Sequence, residues 1–405
     1  MALALEDVWA GEDTSSLFLY AHVPFCFQRC SFCNLFTTVR GAPERQERYL
    51  QQLARQATRV REVLPDARFV TGAVGGGTPT WLDEGGLDRV FDVLGHTMGA
   101  PLGSMPLSVE CSPETVTPGK ADLLVRRGTT RASLGVQSFV DSEARAMGRT
   151  QRGMTVQTAL EALRASRVPT LNIDLIYGLA GQTPATWVDS LTAALEWRPE
   201  EIFLYPLFVR PLTGLDRRGH DAPDDRLELY RIGRDLLVSC GYEQTSMRMF
   251  RAPWAPVVHT PYKCQADGMV GLGPGARSYT RRVHHATRFA VGGGAVLDEL
   301  DAWLDRDDPT RVDWGFVLDL DERARRYLLQ GLLQAEGLDT VAFAEAFGDV
   351  RERFPQLGGL VEHGLAEELP GRLRLTAEGL AWSDAIGPWL YSDAVKARMD
   401  AWELR

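Results

Sequence analysis

From residue 17 to about residue 207, short apolar runs alternate with longer amphipathic stretches. The apolar runs at 17–22, 68–74, 107–110, 132–136, 170–176 and 201–207 have strand length. Between them, 43–64, 87–98, 119–126, 155–166 and 184–197 carry apolar residues at helical spacing. The alternation predicts an α/β fold in which six strand–helix units wind a parallel sheet into an incomplete barrel. Such sheets gather chemistry at the carboxyl ends of their strands.

Residues 208 to about 300 are richer in arginine, proline and glycine. They predict a helix at 224–239, a strand at 242–250 and a turn at Gly271-Leu-Gly-Pro-Gly-Ala-Arg-Ser, together an extension that closes the open side of the barrel. Residues 305–313, with Asp-Asp-Pro-Thr, have linker chemistry. Beyond them, 322–335, 341–347 and 355–363 predict three helices and the stretch around 369–375 a hairpin. The expected division is therefore a barrel with its extension over 1–300 and a winged-helix-like α+β accessory domain over 315–405. That domain has no basic recognition face, so packing over the active site is favoured over DNA binding.

Composition narrows the classes. The chain has 44 Lys+Arg against 54 Asp+Glu, a formal charge of -10, and no basic-aromatic stripe suited to nucleic acid. The first residues lack a basic segment followed by a signal-length apolar run, and no window approaches a membrane span. A cytoplasmic protein, with neither nucleic acid nor membrane as partner, is expected; that compartment keeps thiols reduced.

Three of the six cysteines, Cys26, Cys30 and Cys33, fall in one short stretch after the first strand. Thiolates at C-x3-C-x2-C spacing can hold three irons of a four-iron cluster and leave the fourth without a protein ligand. Zinc would need a fourth ligand, for which His22 or a distant cysteine is available. Tyr20, Phe25 and Phe32 predict an aromatic frame that shields a cluster and stacks on adenine. Cys111, Cys240 and Cys264 are scattered and read as small buried hydrophobes.

Other candidate groups follow the later strands. Gly75-Gly76-Gly77-Thr78-Pro79-Thr80 lets backbone amides approach a ligand closely. Glu110 ends the third strand, where a carboxylate can accept from a ribose. Gln137 follows the fourth strand, and Arg149 comes twelve residues later. Asp174 interrupts an apolar strand, so it needs a partner: either Arg149, in a structural ion pair, or a ligand inside the barrel.

The cysteine motif resembles that of the radical S-adenosylmethionine enzymes. The segments Tyr-x-His-x-Pro-Phe-Cys-x3-Cys-x-Phe-Cys, Gly-Gly-Gly-Thr-Pro-Thr, Gly-Val-Gln-Ser-Phe, Asn-Ile-Asp-Leu-Ile-Tyr-Gly-Leu and Gly-Leu-Gly-Pro-Gly-Ala-Arg-Ser recur in this order. Together they resemble the oxygen-independent coproporphyrinogen III dehydrogenase family over roughly residues 16 to 380. The resemblance implies a partial (βα)6 radical barrel, a [4Fe-4S] cluster on Cys26, Cys30 and Cys33, two S-adenosylmethionine molecules, and a flavodoxin- or ferredoxin-type electron donor. Carried over by position, Tyr20, Phe32, Gly76 and Glu110 contact the cluster-bound molecule, with the backbone around Arg277 nearby. Gly77, Thr78, Gln137, Arg149 and Asp174 contact the second.

Two departures bear on the reaction. The porphyrinogen-decarboxylating members carry a longer segment before the cluster and a further cysteine two residues past the third; here about 15 residues precede the first strand and the matching position is Leu35. The heme-chaperone members show His-Asn then Tyr-Trp where this chain has His259-Thr-Pro-Tyr-Lys-Cys264, which keeps the histidine alone. The expected function is consequently that of a class C radical methyltransferase, using both S-adenosylmethionine molecules to C-methylate an unsaturated carbon of a small-molecule natural product or peptide-derived substrate. Decarboxylation of coproporphyrinogen and non-enzymatic heme carriage are the alternatives. Tyr20, Tyr205 and His259 are the candidate proton-handling groups, with His22, Tyr177, His284 and His285 behind them, and Arg210 suits a substrate carboxylate.

Overall fold

The computed structural model describes residues 3–219 and 225–404. Six strands, β1 (Leu17–Val23), β2 (Phe69–Gly76), β3 (Leu107–Cys111), β4 (Arg131–Gln137), β5 (Thr170–Tyr177) and β6 (Glu201–Pro206), pair in sequence order, all parallel. Helices on the outer face connect them. Along β5 every residue but Asp174 is buried, as expected of a parallel strand covered on both faces. The helix Pro43–Val63 begins on a proline, whose missing N–H costs nothing there, and buries Tyr49, Leu50, Leu53, Ala57 and Val60 along one stripe. Its Tyr49 hydroxyl donates to the carbonyl of His22 at 2.8 Å, which pins the carboxyl end of β1. Farther along, Thr183 and Thr186 form a reciprocal cap at the start of the helix Pro184–Glu196.

The extension does something other than expected. It supplies β7 (Glu243–Gln244), β8 (Met249–Arg251), β9 (Met269–Leu272), β10 (Arg277–Tyr279), β11 (Val283–Ala286) and β12 (Trp314–Val317). The hydrogen-bonded order is β12-β11-β10-β9-β1-β2-β3-β4-β5-β6-β8-β7, so the extension lengthens the sheet at both edges instead of closing it. The strand expected at 242–250 is a bend between two short antiparallel pieces, and the helix expected from 224 is seen from Arg226; Asp224 lies outside the described residues. Residues 315–317, expected to open the accessory domain, belong instead to β12, which pairs with β11 at the edge of the large sheet.

Past β12 a separate core forms around Leu328, Leu332, Phe343, Phe354, Leu373 and Leu390. Helices Leu320–Leu332, Thr340–Phe347 and Leu357–Glu362 accompany a three-stranded sheet in which β15 (Arg372–Leu375) lies between β13 (Leu338–Asp339), which follows the first helix, and β14 (Ala366–Leu369). This unit meets the barrel through Ala335 N–H to Thr245 O at 2.9 Å and an Arg248–Asp384 ion pair at 2.6 Å. Among the described residues no helix is long and apolar enough to cross a membrane.

Candidate active site

The loop after β1 is fixed by its own backbone. Thr38 N–H donates to Pro24 O at 2.7 Å, Cys26 N–H to Thr38 O at 3.0 Å and Cys33 N–H to Cys30 O at 3.1 Å. Ser31 ties the loop across the barrel, donating to Met147 O and accepting from Leu215 N–H, each at 2.9 Å. Thus Cys26, Cys30 and Cys33 all face one cavity of about 520 Å³ at the carboxyl ends of the strands. Burial pushes the Cys26 thiol up to about 12 and also raises that of Cys33, with the neighbouring Cys30 adding to both. Such thiols hold their protons until a metal displaces them.

The aromatic frame is only partly realised. Phe32 lines the cavity, but Phe25 packs in the core between Tyr49 and Trp81, at ring-centroid distances of 5.4 and 5.3 Å. The Tyr20 hydroxyl is paired with His22 Nδ1 at 3.2 Å, and His22 Nε2 with Phe36 O at 2.9 Å. Burial lowers His22 to about 4, so it is a neutral structural tie.

The glycine run is required by close approach. Gly76 has φ 110°, and a side-chain carbon there would stand 2.6 Å from the His22 ring; at Gly77 it would meet Phe25 O at 2.5 Å. Gly76 N–H donates to Glu110 Oε2 at 3.0 Å. Burial raises Glu110 to about 7 even so. Gln137 is reached differently: the β4–β5 register slips between Gly135 and Gln137, and Gln137 takes φ 71°. That strained backbone turns a side chain of β4 into the cavity.

Asp174 does not pair with Arg149. Its carboxylate accepts from Ser133 Oγ at 3.0 Å and from Asn172 Nδ2 at 2.7 Å, and burial raises its pKa against the pull of Arg131. Arg149 instead lies 3.7 Å from buried Glu114 and donates to Gly135 O at 2.8 Å and to Cys30 Sγ at 3.4 Å. The ion-pair alternative is thereby removed, because a serine and an asparagine satisfy the aspartate.

Gly76, Gly77, Thr78, Glu110, Gln137, Arg149 and Asp174 line the same cavity as the thiols. Tyr205 joins them from the end of β6, its hydroxyl without a hydrogen-bond partner among the described residues and its pKa raised by burial. Arg210 and Arg248 also line it, the first over the Phe208 ring at 4.5 Å and the second over Tyr205 at 5.8 Å. Tyr20, His22, His259, Arg277, Tyr177, His284 and His285 are not among the lining residues. His259 sits on an exposed loop, Arg277 begins β10 as an exposed residue, and Tyr177 packs on Trp187 and Tyr230. Thr37 and Arg248 were missed by sequence reasoning. Thr37 belongs to no motif segment, and Arg248 reaches the site only because β8 folds back beside β6.

Among the described residues no three His, Cys, Asp or Glu side chains gather around one point suited to a single ion. A four-iron cluster makes no such demand, since each cysteine binds a different iron, and three thiols along one wall fit it.

Residues 20–194 match the Radical SAM superfamily and residues 318–382 the HemN C-terminal domain. The heme chaperone HemW of Bacillus subtilis is 27% identical over 382 residues, covering 92% of this chain and 98% of that protein. HemW of Synechocystis is 31% identical over 303 residues, 72% of each. The oxygen-independent coproporphyrinogen III oxidase of Paracoccus denitrificans is 26% identical over 377 residues, 83% of this chain and 81% of that one. The solved coproporphyrinogen III oxidase HemN of Escherichia coli superposes with a TM-score of 0.83 at 21% identity, covering 95% and 92%. These relatives overturn the expected C-methyltransferase and its peptide-derived substrate. Leu35, half exposed on the cavity rim, marks a departure from the oxidases without pointing to methyl transfer.

Proposed function

Since the chain belongs to the radical S-adenosylmethionine superfamily, in the group that contains HemW and the oxygen-independent coproporphyrinogen III oxidases, we propose that it oxidatively decarboxylates the propionate side chains of a porphyrinogen. Members of this group use a [4Fe-4S] cluster and two S-adenosylmethionine molecules, with a small-molecule substrate and an external reductant. When bound, these cofactors supply a carbon radical able to abstract hydrogen. The residues named above supply the rest. Cys26, Cys30 and Cys33 hold the cluster; Gly76 and Glu110 hold one S-adenosylmethionine, and Gly77, Thr78, Gln137 and Asp174 the other.

The observation that carries the substrate class is Arg210. Its guanidinium lines the cavity and has no carboxylate partner among the described residues, while planar guanidinium groups bind carboxylates in a two-point fork. Burial holds Tyr205 in its protonated form, so its hydroxyl has a proton to donate into the cavity.

One observation favours heme carriage as a second reading: His259 is exposed beside Val257 and Val258, themselves 71% and 51% exposed, an apolar surface next to an imidazole of the type that can ligate iron. Anaerobic reconstitution, reduction and incubation with coproporphyrinogen III and S-adenosylmethionine separate the two. The proposal expects carbon dioxide, methionine and 5'-deoxyadenosine. Stoichiometric heme uptake without carbon dioxide would instead select the carrier.

A further inference from the structure

Each of the three cysteine sulfurs has a side-chain donor beside it. The Thr78 hydroxyl donates to Cys26 Sγ at 3.6 Å, and Arg149 Nη1 to Cys30 Sγ at 3.4 Å. Thr37 is the third. It is 1% exposed, lines the cavity, and its hydroxyl has no hydrogen-bond partner. Its side chain neighbours the Cys26 and Cys33 thiols on the cavity wall that all three share. The adjacent Thr38 is held to Pro24 and Cys26 by the backbone bonds of the loop, so Thr37 has a fixed position.

A buried hydroxyl left unbonded is costly, because it has given up water and gained no partner. Among thiols, that cost disappears once the sulfurs carry the negative charge of a cluster. We infer that Thr37 is a positioning residue for the cluster: its Oγ1 donates to a sulfur at the Cys33 corner and completes, with Thr78 and Arg149, a set of one donor per cysteine. Hydrogen bonds to the sulfurs of such clusters help set the reduction potential. They favour the reduced state because it is the more negative one. This inference rests on membership of the cluster-binding superfamily and holds for either tetrapyrrole reading.

The test compares Thr37→Val, which keeps the shape, with Thr37→Ser, which keeps the hydroxyl, in the full chain reconstituted anaerobically. Iron and sulfide content, a redox titration followed by electron paramagnetic resonance, and thermal unfolding of the metal-free protein are the readouts. We expect Thr37→Val to load a full cluster, to be no less stable metal-free, and to shift the one-electron equilibrium on the order of tenfold against reduction, about 59 mV. Thr37→Ser should titrate with the unmodified protein. A Thr37→Val cluster with unchanged potential would overturn the inference, as would a metal-free Thr37→Val protein of lowered stability. Should Thr37→Val load no cluster, loading by Thr37→Ser supports the role of the hydroxyl and failure of both sinks it.

Discussion

The backbone N–H of Gly76 donates to the carboxylate of Glu110 at 3.0 Å, joining the ends of two adjacent strands on the floor of the cavity. That bond favours the charged carboxylate, yet burial outweighs it and Glu110 stays near 7. A raised acid makes the folded state hold its proton more tightly than the unfolded chain. Its contribution is fully present below about pH 4.5 and is lost as pH rises through about 7. The metal-free protein should lose about 3 kcal/mol across that window from this group, an order-of-magnitude figure. Glu110→Gln should flatten the slope, which denaturant titrations at several pH values will read.

Gly76→Ala places a carbon 2.6 Å from the His22 ring on a backbone that disfavours any side chain. His22 would have to leave Phe36 O and loosen the cysteine loop. A loss of roughly 2–4 kcal/mol is expected. Chemical denaturation of the metal-free variant measures it, with hydrogen exchange rising first between Cys26 and Thr38.

For Asp174, the asparagine variant keeps the shape and can still meet Ser133 and Asn172, so the fold should survive. Loss of the charge should weaken the second S-adenosylmethionine on the order of tenfold. Anaerobic calorimetry would then find one tight site and one weak one, with the cluster spectrum unaltered. Loss of the cluster itself would show that Asp174 is structural.

Arg248 is tied to Asp384 of the C-terminal unit by a pair about one-third exposed, worth no more than about 1 kcal/mol to stability. Asp384→Asn should therefore barely move the unfolding temperature. Under the decarboxylase reading it should raise KM for the porphyrinogen several-fold at constant kcat, because a released Arg248 is no longer aimed into the cavity. Equal losses in kcat and kcat/KM would contradict this role.

His259→Ala should leave formation of 5'-deoxyadenosine unchanged, as its exposed loop is not part of the cavity lining. Under the heme-carriage reading the same variant should abolish stoichiometric heme uptake, which an absorbance titration decides.

Much of this was determined by the sequence alone. Apolar runs separated by helical spacing located all six parallel strands to within two residues at each end, since a strand buried on both faces reads as a short continuous apolar run whose length and flanking turn residues set it apart from the longer helical stretches. The clustered cysteines just past β1 and the glycine run that ends β2 and continues beyond it marked the site, since their function depends on spacing along the chain. Only the tertiary structure decided the rest. That Asp174 is satisfied by Ser133 and Asn172 rather than Arg149 depends on which residues β4 and β5 set side by side. That the extension lengthens the sheet depends on hydrogen bonds from β9 to β1 and from β8 to β6, between segments far apart in sequence. The buried, unpartnered hydroxyl of Thr37 is of the same kind: a threonine outside every motif acquires meaning only when folding removes water and brings sulfur to its side.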